Sequence, residues 1–82
     1  MNFDETDIVS FQNEIEYSIS EYISFIYNRE EHLFYFTYVD DTTGDEVEEV
    51  IDYFEDRTIN GVLVSERDFN DFAELIRSQY FA

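Results

Sequence analysis

The chain lacks cysteine, lysine, proline and tryptophan altogether, and it has only two glycines and one histidine among 82 residues. Without cysteine there is no disulfide staple and no thiolate metal site, and His32 alone makes no imidazole cluster. Stability must therefore come from packing. With no proline, and with glycine only at positions 44 and 61, no stretch has linker composition and no repeat is visible, so residues 1–82 read as a single domain. No apolar run is long enough to span a bilayer, and Met1-Asn2-Phe3-Asp4-Glu5 has neither the basic start nor the apolar stretch of a signal peptide. The expected location is the cytoplasm, without membrane contact. A glycine-rich phosphate loop is also missing.

Two things are abundant. Nine Phe and seven Tyr bring aromatics to 20% of the chain, far too many for a disordered acidic tail, so the chain should fold around bulky rings. The second is negative charge: 21 Asp and Glu face four Arg, for a formal net charge of -17. A compact chain of this length has a diameter of roughly 30 Å. At one charge per ~1.7 Å, that length of duplex DNA carries about 18 phosphates, close to the net charge of the chain. Such self-repulsion opposes compaction, and the field repels nucleic acid and anionic membrane while attracting basic proteins.

The C-terminal pattern is the clearest. Phe69, Phe72, Ala73, Ile76 and Tyr80 recur at helical spacing after Ser65, a good N-cap, and Asp68 suits the first turn. On that helix Asp71, Glu74 and Arg77 share a solvent side. Residues 33–39 are aromatic and branched and predict a central strand, followed by a turn over residues 40–44. Beyond the turn two patterns compete. Val47, Val50, Ile51 and Phe54 fit a helix with Thr43 and Glu46 as capping box; a hairpin strand instead turns Val47, Ile51 and Tyr53 inward and Glu48, Val50 and Asp52 outward, and the balance favours the hairpin. Residues 15–27 likewise fit a helix or a strand, with residue types favouring one strand over 17–27, broken only by Glu21, after a short helix over 5–14. Asn60-Gly61 reads as a turn in a short extended piece leading to the final helix. The expected fold is α+β: a small antiparallel sheet of about three strands, with the C-terminal helix packed on it and a short N-terminal helix.

Nine acids crowd one stretch: Asp40, Asp41, Asp45, Glu46, Glu48, Glu49, Asp52, Glu55 and Asp56. On a strand or a helix this spacing makes rows of carboxylates, which a firm scaffold would present to a basic groove with little ordering cost. Ordinary acidic faces intersperse both signs, whereas this chain has no lysine at all. Together with Asp71 and Glu74 these acids are the candidate partner-binding set. A calcium loop does not fit, because placing Gly44 at the sixth position puts Val39 first and Val50 twelfth, and no metal or other cofactor is expected. His32 is expected to be structural or exposed. Ser18, Ser20 and Ser24 have no triad partners, and a carboxylate pair of glycosidase type needs a deeper pocket than so small a chain can build, so no catalysis is expected. One of Tyr53, Phe54, Tyr80 and Phe81 is expected as an exposed interface anchor.

In size, charge and aromatic richness the chain resembles the acidic DNA-mimic inhibitors of bacteriophages, among them anti-CRISPR, anti-restriction and uracil-DNA glycosylase inhibitor proteins. The likeness spans the whole chain, is compositional, and assigns no individual residue. It implies a monomer or small homo-oligomer acting in the cytoplasm of an infected bacterial host. There it would compete with DNA for the groove of a basic nucleic-acid-binding protein such as a CRISPR effector, without itself touching nucleic acid. The competing expectation is an acidic regulatory or antitoxin-like module that binds a basic protein away from its nucleic-acid site. Adaptation to high salt would also explain acidity, but not nine Phe and seven Tyr beside only two Ala.

Overall fold

Five consecutive strands form an antiparallel meander in chain order: β1 (Ile8–Ser10), β2 (Glu14–Ser20), β3 (Ile23–Asn28), β4 (Leu33–Val39) and β5 (Glu46–Ile51). A separate two-stranded hairpin, β6 (Arg57–Ile59) and β7 (Val62–Val64), leads into the helix α1 (Glu66–Tyr80). The structure is a computed structural model and describes residues 8–80.

This arrangement corrects the expected three strands and two helices. The short N-terminal helix is replaced, where it falls on described residues, by β1 and the start of β2; residues 5–7 lie outside the described residues. The single strand over residues 17–27 is in fact two, turning at Glu21 and Tyr22. The reason the turn escapes the pattern is a bulge between Ser18 and Ser20. A two-residue turn in regular register would pair Tyr17 with Ile26 and exchange odd for even positions. The extra residue shifts the pairing to Tyr17 with Phe25 and Ile15 with Tyr27, so odd positions face the core on both strands and the alternation runs through the turn uninterrupted.

One face of the meander is the core. Ile15 and Tyr17 from β2, Ile23, Phe25 and Tyr27 from β3, and Phe36 from β4 are fully buried there. α1 lays Phe69, Phe72, Ala73 and Ile76 on them, and Ile59 and Val64 of the hairpin join the same cluster. Phe25 is the hub. Its ring lies 5.2 Å from Phe36, 5.0 Å from Phe54 and 5.4 Å from Phe69, in tilted and edge-on geometries that suit the ring quadrupoles.

The helix begins as its caps dictate. Ser65 Oγ accepts the Asp68 N–H at 3.1 Å, and Asp56 Oδ1, ten residues earlier, accepts the Glu66 N–H at 2.7 Å. Glu66 and Asp68 sit at the positive end of the helix and Arg77 at the other. In the β6–β7 turn Asn60 (φ 52°) and Gly61 (φ 80°) are both left-handed, as a two-residue hairpin with the right twist requires. Among the described residues no helix is long and apolar enough to cross a membrane.

After Ile51 the chain leaves the sheet, and the strand alternation with it. On β5 it is Val47, Glu49 and Ile51 that turn toward the helix side, with Glu48 and Val50 outward. Tyr53, expected to point inward, is 74% exposed, and Phe54 takes the buried place.

Candidate protein-binding surface

The register fixes which residues share the face of the sheet turned away from α1. Residues directly opposite one another point the same way, so the pairs Val9↔Glu16, Glu16↔Ile26, Ile26↔Tyr35 and Tyr35↔Val50 define one row across all five strands. A second row is Ser18, Ser24, Thr37 and Glu48, and at the margins lie Glu14 with Asn28 and Leu33, and Val39 with Glu46. Four strand carboxylates therefore stand on this outer face: Glu14, Glu16, Glu46 and Glu48. Members of each strand pair are ~6.5–7 Å apart along the strand; the two pairs are separated by three strand spacings, about 14 Å across the sheet, and are offset along the strands as well, since Glu16 is level with Val50.

No arginine occupies a strand position on this face. Arg57 lies on the helix side, where its Nη1 donates to Glu49 Oε1 at 3.0 Å and its guanidinium sits 5.3 Å from the Phe36 ring centre and 5.7 Å from that of Tyr38. Arg67 and Arg77 are on α1, and Arg29 is in the β3–β4 turn. The strand positions of the outer face thus carry acids alone, whereas the helix side carries both signs.

Tyr35 at the centre of the row is tied to Glu31. Its hydroxyl donates to Glu31 Oε1 at 2.7 Å. That hydrogen bond is the largest cause of a pKa raised above 10.0; loss of hydration adds to it, and the charges of Glu31, Glu48 and Glu14 all push the same way. Beside it, Glu16, Glu21, Tyr22, Ser24, Thr37 and Glu46 line a shallow, open concavity of about 230 Å³.

The residues singled out from sequence divide into distinct groups. Glu46 and Glu48 belong to the outer face. Asp40, Asp41 and Asp45 are at the β4–β5 turn, where Asp40 Oδ1 accepts the N–H groups of Thr42 and Thr43 at 2.8 and 3.4 Å and so shapes the loop itself. Glu49 is engaged with Arg57, and Asp56 caps α1. Asp52 and Glu55 are exposed in the β5–β6 connection, and Asp71 and Glu74 lie on α1, across the molecule from the outer face. The structure does not bring the eleven together on one surface.

Sequence reasoning missed Glu14, Glu16, Glu21 and Glu31. Glu14 and Glu16 alternate with buried Ile15 and Tyr17, which is a legible signal, but the pairing that sets them beside Glu46 and Glu48 is not local. His32 is in the β3–β4 turn with φ 59°, and its Nδ1 is 3.0 Å from the Tyr27 hydroxyl. Burial pushes the Tyr27 pKa up, partly offset by Arg29. Among the described residues no three His, Asp or Glu side chains converge as metal ligands.

Comparison with protein-family models, with curated proteins and with solved structures finds no match to this chain.

Proposed function

We propose that this protein is an acidic inhibitor that imitates the charge of DNA, occupies the basic nucleic-acid-binding site of a target protein and blocks DNA binding there. The target is a CRISPR effector or another host-defence or DNA-processing protein. The carrying observation is the outer face of the sheet, whose strand positions hold four carboxylates and no cation, in a chain without a single lysine. The backbone that carries these carboxylates is already ordered by strand pairing, so a basic cleft that accepts them is spared the backbone entropy that a flexible acidic tail would lose.

The dimensions favour partial rather than full imitation of a duplex. The molecule measures 40 × 25 × 23 Å. The described residues carry 18 of the 21 acids, since Asp4, Glu5 and Asp7 fall outside them, and all four arginines. That leaves a net charge of 4 − 18 = −14, about one charge per 3 Å of the long axis against one per ~1.7 Å of duplex. Occupation of a short stretch of basic cleft, with steric exclusion of the rest, fits this better than replacement of a long duplex.

The work assigned to the chain is binding, not catalysis. For a phage-encoded protein the place of action is the cytoplasm of the infected bacterium, where the target meets its DNA. The test is competition. Purified protein is titrated into complexes of fluorescent duplex with a guide-loaded Cas9-type effector, a restriction endonuclease and a uracil-DNA glycosylase. Displacement of duplex from at least one, with affinity falling steeply as salt rises, is the expected result. Binding that leaves the duplex in place as a ternary complex would replace the mimic by an acidic regulatory or antitoxin-like module, and absence of any displacement would remove the proposal's support.

A further inference from the structure

The outer face is not uniformly polar. From Glu16 across β3, β4 and β5 runs an apolar line, the half-buried Ile26 and Tyr35 and the 57% exposed Val50, with Val9, 48% exposed, on the far side of Glu16. The other face of the same sheet is closed by α1 and the β6–β7 hairpin, and among the described residues no strand or helix packs on this one. A second copy of the chain is a poor occupant, because it would bring four more carboxylates against these four. A lysine is a poorer match: its stem can also lie along the apolar line, but its compact, strongly hydrated ammonium neither stacks flat on a ring nor offers a planar fork to carboxylates. An arginine suits both parts. Its aliphatic stem can lie along Ile26, Tyr35 and Val50, its planar head can stack on an aromatic ring, and its donor fork can take a carboxylate on either side.

We infer that the outer face of the five-stranded sheet is the docking surface for a basic protein, and that it selects arginine side chains, laid across the Ile26–Tyr35–Val50 line with their guanidinium groups on Glu16 and Glu48. This rests on the mimic reading for the nature of the partner. The concavity beside Tyr22 extends the same chemistry, with Glu16, Glu21 and Glu46 around an exposed ring and the Ser24 and Thr37 hydroxyls. Charge complementarity is the ground for it: every charged strand residue of this face is a carboxylate.

The experiment uses the full chain, isotopically labelled, titrated with nona-arginine and nona-lysine peptides and followed by amide chemical shifts. Shifts centred on Glu16, Ile26, Tyr35 and Glu48, and at least fivefold tighter binding of nona-arginine, are expected. Replacing Glu16 and Glu48 together by Gln should weaken nona-arginine about tenfold, whereas replacing Asp71 by Asn with Glu74 by Gln should change it less than twofold. Shifts centred on α1 or on the β5–β6 connection, equal affinity for the two peptides, or equal losses in the two variants would overturn the assignment. So would shifts at this face on concentrating the protein alone, which would make a second copy the occupant. The DNA competition separates the two levels. Peptide mapping to this face without duplex displacement leaves the surface and removes the mimicry; displacement that survives the Glu16/Glu48 variant and is lost in the Asp71/Glu74 variant leaves the mimicry and removes the surface.

Discussion

The Tyr35 hydroxyl and Glu31 Oε1, 2.7 Å apart, tie the centre of the outer face to the β3–β4 turn. Because the phenol's pKa is raised in the folded chain, the stabilisation it brings is fully present below about pH 10 and is lost as pH climbs through the folded-state value. A titration of selectively labelled Tyr35 by NMR should give a midpoint above 10.0, and Glu31→Gln should bring it down toward that ordinary value. A midpoint unmoved by Glu31→Gln would mean that the bond does not persist in solution.

Arg57 joins three groups at once, Glu49 and the rings of Phe36 and Tyr38. A partly exposed ion pair contributes up to ~1 kcal/mol and a cation over a ring ~0.5–1 kcal/mol, so Arg57→Ala should cost about 1–2 kcal/mol in urea unfolding. Arg57→Lys should recover only part of that, since lysine has no planar fork to lie on the rings. Because Glu49 is held here, Glu49→Gln should disturb stability more than it disturbs partner binding.

Phe25 touches sheet, connection and helix. Truncating a buried Phe to Ala costs about 3–5 kcal/mol, whereas a domain of this length has a total stability of about 4–12 kcal/mol. Phe25→Ala should therefore lose a large share of the stability, with a urea midpoint far below that of the unaltered chain by circular dichroism. Phe25→Leu should stay folded with a lower unfolding midpoint.

Asn60 bridges two turns: its Nδ2 donates to the Val39 carbonyl at 2.7 Å, and its Oδ1 accepts the Asp41 N–H at 3.1 Å. It does so from a left-handed backbone. Asn60→Ala loses both bonds and strains the turn, for an expected loss of about 2 kcal/mol, while Asn60→Gly relieves the backbone and should cost about half as much. Equal losses in thermal or urea unfolding would show that the side-chain bridge alone matters.

At Asp56 chemistry and charge can be separated. Asp56→Asn keeps an oxygen for the Glu66 N–H and should leave stability within about 0.5 kcal/mol; Asp56→Ala should lose about 1 kcal/mol. Neither should change nona-arginine binding much, since this carboxylate lies away from the outer face.

Some of the molecule is decided by local chemistry that can be read residue by residue. The spacing of Phe69, Phe72, Ala73 and Ile76 behind a Ser65 cap makes α1; the β-branched and aromatic run 33–39 makes β4; Asn60-Gly61 makes a hairpin; and 21 acids with no lysine make a field that only basic partners can enter. These follow from periodicity, capping and charge, which act within a turn or over the whole molecule. Strand number and the composition of the exposed face depended instead on pairing between distant segments. The bulge at Ser18–Ser20 conceals a turn with no glycine or proline to mark it; only the register sets Glu14 and Glu16 on one surface with Glu46 and Glu48, and only the packing of α1 on the core face sends Asp71 and Glu74 to the other side. A one-residue slip would reverse every such assignment, so packing of the rings in the core, not the local pattern, chose the face.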